Sequence, residues 1–310
     1  MQVRTFKIVS LVAAAALALA ACGSKTDSGA STDATSAAPD TAASSSAQAT
    51  TDGATVTGSA VTGSTEAGGS TGSTADTPEL AALKAGGVLR VGTEGTYSPF
   101  TFHQDGSGPL TGYDIDVITA VAQELGLKVE FSETQWDSIF AGLDAGRYDV
   151  IANQVTVNDE RKGLYDLSTP YTVSAGVVLT RSDDDSVKTL ADIAGKKSAQ
   201  STTSNWAKVA TDNGATVSGV EGFAQAVQLL KQKRVDVTIN DSLAALEYFK
   251  TTGDTDIKIA VTTDDKSEQA LAFKKNSGLV AGFDAALATL AANGTLATIS
   301  EKYFGEDVSK

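Results

Sequence analysis

Hydrophobic and polar positions follow two different periods along residues 78–310. Short apolar runs typical of buried strands occur at 88–91, 128–131, 148–151, 176–180, 235–239, 257–261 and 269–273. Apolar residues three or four positions apart, which are typical of helices, occur at 117–125, 139–143, 223–230, 243–246 and 279–290. Because strands and helices alternate, the pattern predicts an α/β architecture with mostly parallel sheets, in which the helical stripes pack in the core.

One phrase of the sequence occurs twice, at 143–153 and again at 230–240, with Leu, Arg, Asp, Val and Asn in the same places. Each copy predicts the end of a helix, a tight polar turn and a short buried strand that stops at Asn. Thr156 and Arg161 follow the first strand, and Asp241 follows the second. Ligands of open α/β sheets bind beyond the carboxyl ends of strands, so a cation from one unit and an anion from the other suit a small zwitterion. The alternative is that two ordinary helix–turn–strand units match by chance.

The N-terminus predicts export from the cytoplasm. Two basic residues precede an apolar run at 8–21, which is shorter than the roughly 20 residues needed to span a bilayer. A basic start, a short apolar segment and small residues before a cleavage point describe a secretory signal peptide, here residues 1–21. The segment 19–22, Leu-Ala-Ala-Cys, resembles the lipobox of bacterial lipoproteins, which implies a lipid on Cys22 and an anchor in the cell membrane. The alternative is an ordinary signal peptide with an incidental cysteine.

Residues 22–77 are predicted to be the lipidated cysteine followed by a disordered tether. This segment is almost entirely Ser, Thr, Ala, Gly and Asp and has too little apolar surface to offset the entropy of ordering. Removal of residues 1–21 leaves 22 basic and 38 acidic side chains, a net charge of −16, which argues against nucleic acid or an anionic membrane surface as a partner. Cys22 is the only cysteine, so the folded part can form no disulfide, thiolate nucleophile or cysteine metal site.

Candidate ligand chemistry follows the strand predicted at 148–151. The polar stretch 153–162 contains Arg161, whose guanidinium offers a rigid fork of donors suited to a carboxylate. The alternative is a solvated charge, because Arg161 lies within the mixed-charge run 159–162. His103 is the only histidine and the sequence has no Gly-x-Ser-x-Gly elbow, so neither hydrolytic chemistry nor a zinc site is indicated. Nothing in the sequence indicates a cofactor, a catalytic residue or a metal.

Four parts of the chain resemble the family 3 extracellular solute-binding proteins, the polar amino-acid receptors of ABC importers. They are 92–100 (GTEGTYSPF), 110–116 (LTGYDID), 158–162 with 166–171 (NDERK and DLSTPY), and 300–305 (SEKYFG). The resemblance covers about residues 80–310, and the segments occur in the order of that family. Within the family, Asn153-Gln154-Val155-Thr156 and the run around Asp241 resemble the cystine-binding branch most.

The resemblance implies a fold and a function. The fold is a two-lobed periplasmic-binding-protein-like α/β fold of type II, with lobe 1 at 79–179 plus 274–310 and lobe 2 at 180–273. Two crossing segments, near 179–180 and 272–273, would form its hinge. The function is an extracytoplasmic receptor that captures an amino acid, cystine foremost, and delivers it to an ABC permease and ATPase. Alternatives are a receptor for glutamine, glutamate or arginine, a sensor for the same ligand, and a dehydratase-like enzyme on the same fold.

The resemblance also assigns the residues that would hold the amino-acid head of the ligand. Arg161 would bind the α-carboxylate and Asp241 the α-ammonium. Thr156 and the backbone at Gln154 would add hydrogen bonds from lobe 1. The turn Ser204–Asn205 would offer backbone donors to the carboxylate, since amide groups at a helix N-terminus attract anions.

Three further residues would form the side-chain pocket. Tyr97 and Trp136 would wall it with aromatic faces, and Glu94 would contact the distal end of the ligand. Core packing of the two aromatic residues and solvation of Glu94 are the alternatives, and Asp241 can also cap the helix that follows it. The chain departs from the family in the turn 201–204, which reads Ser-Thr-Thr-Ser where glycine is common.

Overall fold

The computed structural model describes residues 76–310. The predicted signal peptide 1–21, the lipid site Cys22 and nearly all of the predicted tether 22–77 lie outside the described residues. Thr77 belongs to the folded part: its hydroxyl accepts a hydrogen bond of 3.1 Å from the backbone N–H of Leu80 and donates one of 2.7 Å to the carbonyl of Gly278. Thr77 is thus the N-cap of the first helix, a position that favours Thr.

Helices and strands alternate along most of the described chain. The α-helices are α1 (Pro78–Gly86), α2 (Tyr113–Glu124), α3 (Trp136–Asp144), α4 (Asp159–Leu164), α5 (Asn205–Asp212), α6 (Phe223–Lys231), α7 (Ser242–Thr252), α8 (Val280–Ala292) and α9 (Thr295–Phe304). The strands are β1 (Val88–Thr93), β2 (Thr96–Tyr97), β3 (Thr101–His103), β4 (Leu110–Thr111), β5 (Lys128–Glu133), β6 (Val150–Thr156), β7 (Tyr165–Leu167), β8 (Thr172–Arg181), β9 (Lys197–Gln200), β10 (Thr216–Gly219), β11 (Thr238–Asp241) and β12 (Ile257–Lys274). This alternation confirms the predicted α/β class.

Seven strands form one mixed sheet in the order β11-β8-β12-β6-β1-β5, with β7 beside β12. Strand β1 is parallel to β5 and β6, but β12 is antiparallel to β6, β7 and β8, and β11 is antiparallel to β8. The prediction of mostly parallel sheets is therefore wrong for this sheet. The reason is that β8 and β12 are long neighbours that carry the chain in opposite directions. Strands β9 and β10 form a parallel pair, and β2, β3 and β4 form a small antiparallel sheet.

The repeated phrase forms the helix–turn–strand unit that it predicts in both places, as α3 with β6 and α6 with β11. The asparagines do not stop the strands, however: β6 continues past Asn153 to Thr156, and Asn240 lies within β11. The apolar runs at 257–261 and 269–273 are two parts of the single strand β12, because Thr262 and residues 266–268 between them also pair with β8, across a register shift at 263–265. The spacing of apolar residues did not predict strands β2, β3, β4, β7, β9 and β10 or helices α1, α4, α5 and α9.

Buried apolar side chains form four clusters that divide into two pairs. Two clusters use the chain up to Tyr171 and from Leu271 onward, and the other two use the chain from Val177 to Ile257. We call these two parts lobe 1 and lobe 2; β8 and β12 connect them. Leu243 and Ala244, at the start of α7, are exceptions, because they pack into a lobe 1 cluster. The exact lobe boundaries given by the resemblance stay a prediction.

Two searches of residues 76–310 bear on membranes and metals. Within this range no single helix is long and apolar enough to cross a membrane, and only the pair α8 and α9, bent by 74°, passes that test together. The same residues contain no group of three or more His, Cys, Asp or Glu side chains that could hold a metal ion.

Candidate functional site

A cavity lies between lobe 1 and lobe 2, with a volume of about 60 Å³ open to the centres of water molecules. Lobe 1 contributes residues near the ends of β1 and β6 and the start of α3, namely Glu94, Thr96, Tyr97, Trp136, Asn153 and Gln154. Lobe 2 contributes β9, the first turn of α5, the start of α6 and β11, including Gln200, Ser201, Ser204, Asn205, Trp206, Phe223 and Asn240. Six of the predicted site residues therefore line one cavity.

Glu94 lies directly after β1, where its half-buried carboxylate accepts a hydrogen bond of 2.6 Å from the side-chain amide of Asn153. The amide oxygen of Asn153 accepts in turn from the backbone N–H of Glu94 at 2.8 Å. Burial raises the pKa of Glu94 to about 7, and the hydrogen bond from Asn153 opposes this shift. The carboxylate is therefore held in place beside the cavity, in surroundings where a nearby cation would favour its charged form.

Tyr97 connects the lobe 1 wall of the cavity to the lobe 2 wall. Its hydroxyl donates a hydrogen bond of 2.6 Å to the side-chain oxygen of Asn240 on β11. The same oxygen accepts from the backbone N–H of Asp241 at 2.7 Å, so Asn240 is fixed by its own strand. The bond from Tyr97 joins two residues that are 143 positions apart, and it exists only while the lobes are together.

Two polar atoms of the cavity wall have no hydrogen-bond partner among the described residues. They are the indole Nε1 of Trp136, a donor, and the side-chain Oε1 of Gln154, an acceptor. Both atoms are buried, and buried polar groups without partners each cost about 1–3 kcal/mol. A polar ligand in the cavity can remove this cost, so the two atoms mark where its polar groups would lie.

Asp114, which does not line the cavity, holds Gln154 in position through hydrogen bonds to its backbone and side chain. Its carboxylate accepts from the backbone N–H of Gln154 at 2.8 Å and from the Gln154 amide at 2.6 Å. Gln154 has a φ of +50°, a backbone conformation that is uncommon for residues other than glycine. Burial raises the pKa of Asp114 to about 7, against the hydrogen bonds from Gln154 and Tyr171. Asp114 thus stabilises the strained end of β6.

Arg161 is buried without an acidic partner among the described residues. Only 7% of the residue is exposed, and one guanidinium nitrogen donates a hydrogen bond of 2.9 Å to the carbonyl of Thr156. The guanidinium carbon lies 5.2 Å from the ring centre of Trp136 and 5.5 Å from that of Phe140. Burial lowers the pKa of Arg161 to about 10. Arg161 lies against Trp136, a wall of the cavity, but is not itself part of the lining.

Asp241 is almost fully buried at the start of α7 and is also outside the lining of this cavity. Its carboxylate caps the helix by accepting from the backbone N–H of Leu243 at 2.9 Å, as the structural interpretation predicted. The second oxygen accepts from the hydroxyl of Ser174 at 2.5 Å. Burial raises the pKa of Asp241 to about 6, which these hydrogen bonds oppose. Thr156 lines an adjacent cleft rather than the cavity.

Helix α5 points its N-terminus at the cavity. Ser204 is the N-cap, since its hydroxyl accepts from the backbone N–H of Ala207 at 3.0 Å, and Asn205 is the first helical residue. Asn205 and Trp206 line both the cavity and the cleft that contains Thr156. The N–H groups of Asn205 and Trp206, the first two helical residues, have no acceptor within the helix, so they are available to an anion.

The sequence analysis did not identify Trp206, Asn240 and Asn153 as site residues. Trp206 packs on Gly176 of β8, where an added Cβ atom would lie 2.6 Å from ring atom Cζ3. This packing gives no local signal, because it joins residues far apart in sequence. The two asparagines did give a signal, since they are the matching Asn of the repeated phrase and both line the cavity.

Solved structures define the class of protein to which this architecture belongs. An ancestral arginine-binding protein bound to arginine is 38% identical, with a TM-score of 0.66 over 71% of this chain and 99% of that chain. The L-cystine solute receptor of Neisseria gonorrhoeae, in the unliganded open conformation, is 46% identical, with a TM-score of 0.51 over 75% of this chain and 99% of that chain. The fold is therefore that of the two-lobed amino-acid-binding proteins. The better match to the ligand-bound relative, despite its lower identity, agrees with lobes that are together here.

Sequence comparison places the chain within this class. The family described as bacterial extracellular solute-binding proteins, family 3, matches residues 89–306. The L-cystine-binding protein TcyA of Bacillus subtilis (strain 168) is 54% identical over 231 residues, which is 74% of this chain and 86% of that protein. This chain belongs to the bacterial extracellular solute-binding proteins, family 3, as the resemblance in its motifs predicted.

Proposed function

We propose that this chain is an extracytoplasmic receptor that captures cystine between its two lobes for an ABC permease and ATPase. The observation that carries the proposal is the buried guanidinium of Arg161, which has no acidic partner among the described residues. An unpaired buried charge is costly, and a ligand carboxylate is the partner that Arg recognises best. The names of the relatives support the choice of cystine, because proteins that are 54% and 38% identical are L-cystine-binding proteins.

The ligand would lie with one amino-acid head near Arg161 and Asp241 and its other head near Glu94. Arg161 would pair with the α-carboxylate and Asp241 with the α-ammonium; Thr156, Gln154 and the first turn of α5 at Ser204–Asn205 would add hydrogen bonds. The disulfide would pass along Trp136 and Tyr97, since sulfur makes favourable contacts with aromatic rings. Ligand bound between the lobes would favour the closed form of the protein, and opening of the lobes would release the ligand.

A screen of thermal stability tests this proposal. Each amino acid, with cystine included, is added to the purified protein, because a ligand that binds only the folded state raises the unfolding temperature. At a concentration of 100 times the dissociation constant, the gain is about 2.7 kcal/mol. Cystine should give the largest shift. No shift with any amino acid, together with turnover of a prephenate-like compound, would favour the dehydratase alternative instead.

We also propose that Cys22 carries a lipid and that residues 23–75 tether the folded part to the membrane. The lipobox-like segment before Cys22 and the low apolar content of the tether support this arrangement. Cys22→Ser should release the protein into the medium or leave an uncleaved precursor. Detergent partitioning of the variant tests this, and partitioning identical to that of the wild type would contradict it.

A further inference from the structure

Asp137 joins the two lobes at a point outside the cavity lining. It is the second residue of α3, it is exposed, and it directly follows the cavity residue Trp136. One carboxylate oxygen accepts from the backbone N–H of Thr202 at 3.2 Å and from its hydroxyl at 2.6 Å. The other accepts from the backbone N–H of Thr203 at 3.0 Å and from its hydroxyl at 2.7 Å. A single side chain of lobe 1 therefore accepts four hydrogen bonds from lobe 2.

The two threonines lie between β9 and α5, directly before the cavity residue Ser204. The four bonds thus connect two segments whose adjacent residues, Trp136 and Ser204, lie in opposite walls of the cavity. The two backbone bonds need only the right turn, but the other two need hydroxyl groups, which the Ser-Thr-Thr-Ser turn of this chain supplies. Although burial alone would raise it, the hydrogen bonds from Thr202 and Thr203 hold the pKa of Asp137 below its usual value, so the carboxylate is ionised at neutral pH.

We propose that Asp137 is a positioning residue that slows ligand release by holding the lobes closed through Thr202 and Thr203, without touching the ligand. The inference rests on the proposed function, because it presumes capture of an amino acid between the lobes. It differs from the bond between Tyr97 and Asn240, since those two residues line the cavity and are themselves candidates for contact with ligand. Hydrogen bonds that form only on closure stabilise the closed state alone, so their loss acts on dissociation.

The test is the rate of ligand release from Asp137→Ala, from the double variant Thr202→Val with Thr203→Val, and from the triple variant. Asp137→Ala should release ligand about 5- to 30-fold faster with an association rate within about twofold of wild type, since exposed hydrogen bonds to a charged group are of modest net strength. The triple variant should release ligand no faster than Asp137→Ala, because Thr202 and Thr203 act only through the carboxylate of Asp137. Asp137→Asn keeps one acceptor oxygen and should be intermediate.

Asp116→Ala is the matched control. Asp116 lies in the first turn of α2 and bonds to Lys302 and Tyr303, all within lobe 1. This variant should release ligand at the wild-type rate. The release rates are measured with cystine, arginine and glutamine, whichever bind. A residue that acts only on closure changes release by the same factor for each of them, whereas an error in the proposed ligand changes only which one binds most tightly. Release within twofold of wild type for Asp137→Ala, or a factor that differs between ligands, would overturn the inference.

Discussion

Replacement of Arg161 by Met should weaken ligand binding strongly but leave the stability of the ligand-free protein almost unchanged. Met keeps an apolar chain against Trp136 and Phe140 but removes the buried charge. A pKa lowered by burial to about 10 means that the folded state disfavours the charged form by about 3 kcal/mol at neutral pH. The variant also loses a hydrogen bond to Thr156 and two cation–π contacts, together about 3 kcal/mol.

The two contributions nearly cancel, so the free energy of unfolding of ligand-free Arg161→Met should lie within about 1 kcal/mol of wild type, or within roughly 2–4 °C in unfolding temperature. Cystine affinity should fall at the same time, because the ligand carboxylate would be buried without its partner. That loss is about 2–5 kcal/mol, which corresponds to about 30- to 4,000-fold in the dissociation constant. Thermal unfolding without ligand and titration calorimetry with cystine measure the two effects.

Arg90→Met is the matched control, since Arg90 is exposed and pairs with Asp149 at 2.5 Å. Loss of this bidentate pair and of the Arg90 bond to the Gly146 carbonyl should lower stability by about 1–2 kcal/mol and leave cystine affinity unchanged. The reasoning on Arg161 is refuted if Arg161→Met binds cystine within about threefold of wild type. A fall in ligand-free stability of several kcal/mol would show instead that the charge serves the fold.

Three further predictions concern the other walls of the site. Asp241→Asn should keep the cap on Leu243, and hence the stability, but weaken cystine binding. The carboxylate of Asp241 has a pKa raised to about 6 and must be ionised to hold an ammonium. Calorimetry should therefore show the wild-type affinity for cystine falling as the pH drops through 6, with a smaller fall in the variant. Glu94→Gln should weaken cystine binding about tenfold but leave the affinity for amino acids with neutral side chains within about twofold, as competition binding can measure. Gly176→Ala should displace the indole of Trp206, change its fluorescence and weaken binding, whereas normal fluorescence would contradict that packing.

Much of the fold was predictable because it follows from local pattern. The repeated phrase correctly placed two helix–turn–strand units, and the apolar spacing identified five of the described helices. The long strand β12 was not predictable as one element, since its polar middle is stabilised by pairing with β8 rather than by its own sequence. The antiparallel pairing at the centre of the sheet was likewise not predictable, because it too depends on the pairing of β12 with β8.

The residues that line the candidate cavity were predictable where a sequence motif contains them, and not predictable where residues distant in sequence meet. Trp136 begins a helix and Glu94 follows a strand that the apolar pattern indicates, and both residues line the cavity. The asparagines of the repeat were interpreted as strand ends, although each binds a residue of the cavity wall, Glu94 in one case and Tyr97 in the other. The contact of Asp137 with the turn at Thr202 joins residues 65 positions apart and has no local signature.

Titration calorimetry of the wild-type protein with cystine, arginine, glutamine and S-methylcysteine tests the central claim most directly. The account predicts one binding site per chain, with cystine bound at least about tenfold more tightly than the other three, since only cystine has a second amino-acid head for Glu94. S-methylcysteine carries one head and a thioether, so it isolates the contribution of the distal head. Tighter binding of arginine or glutamine than of cystine, or no binding of cystine at all, would contradict the account.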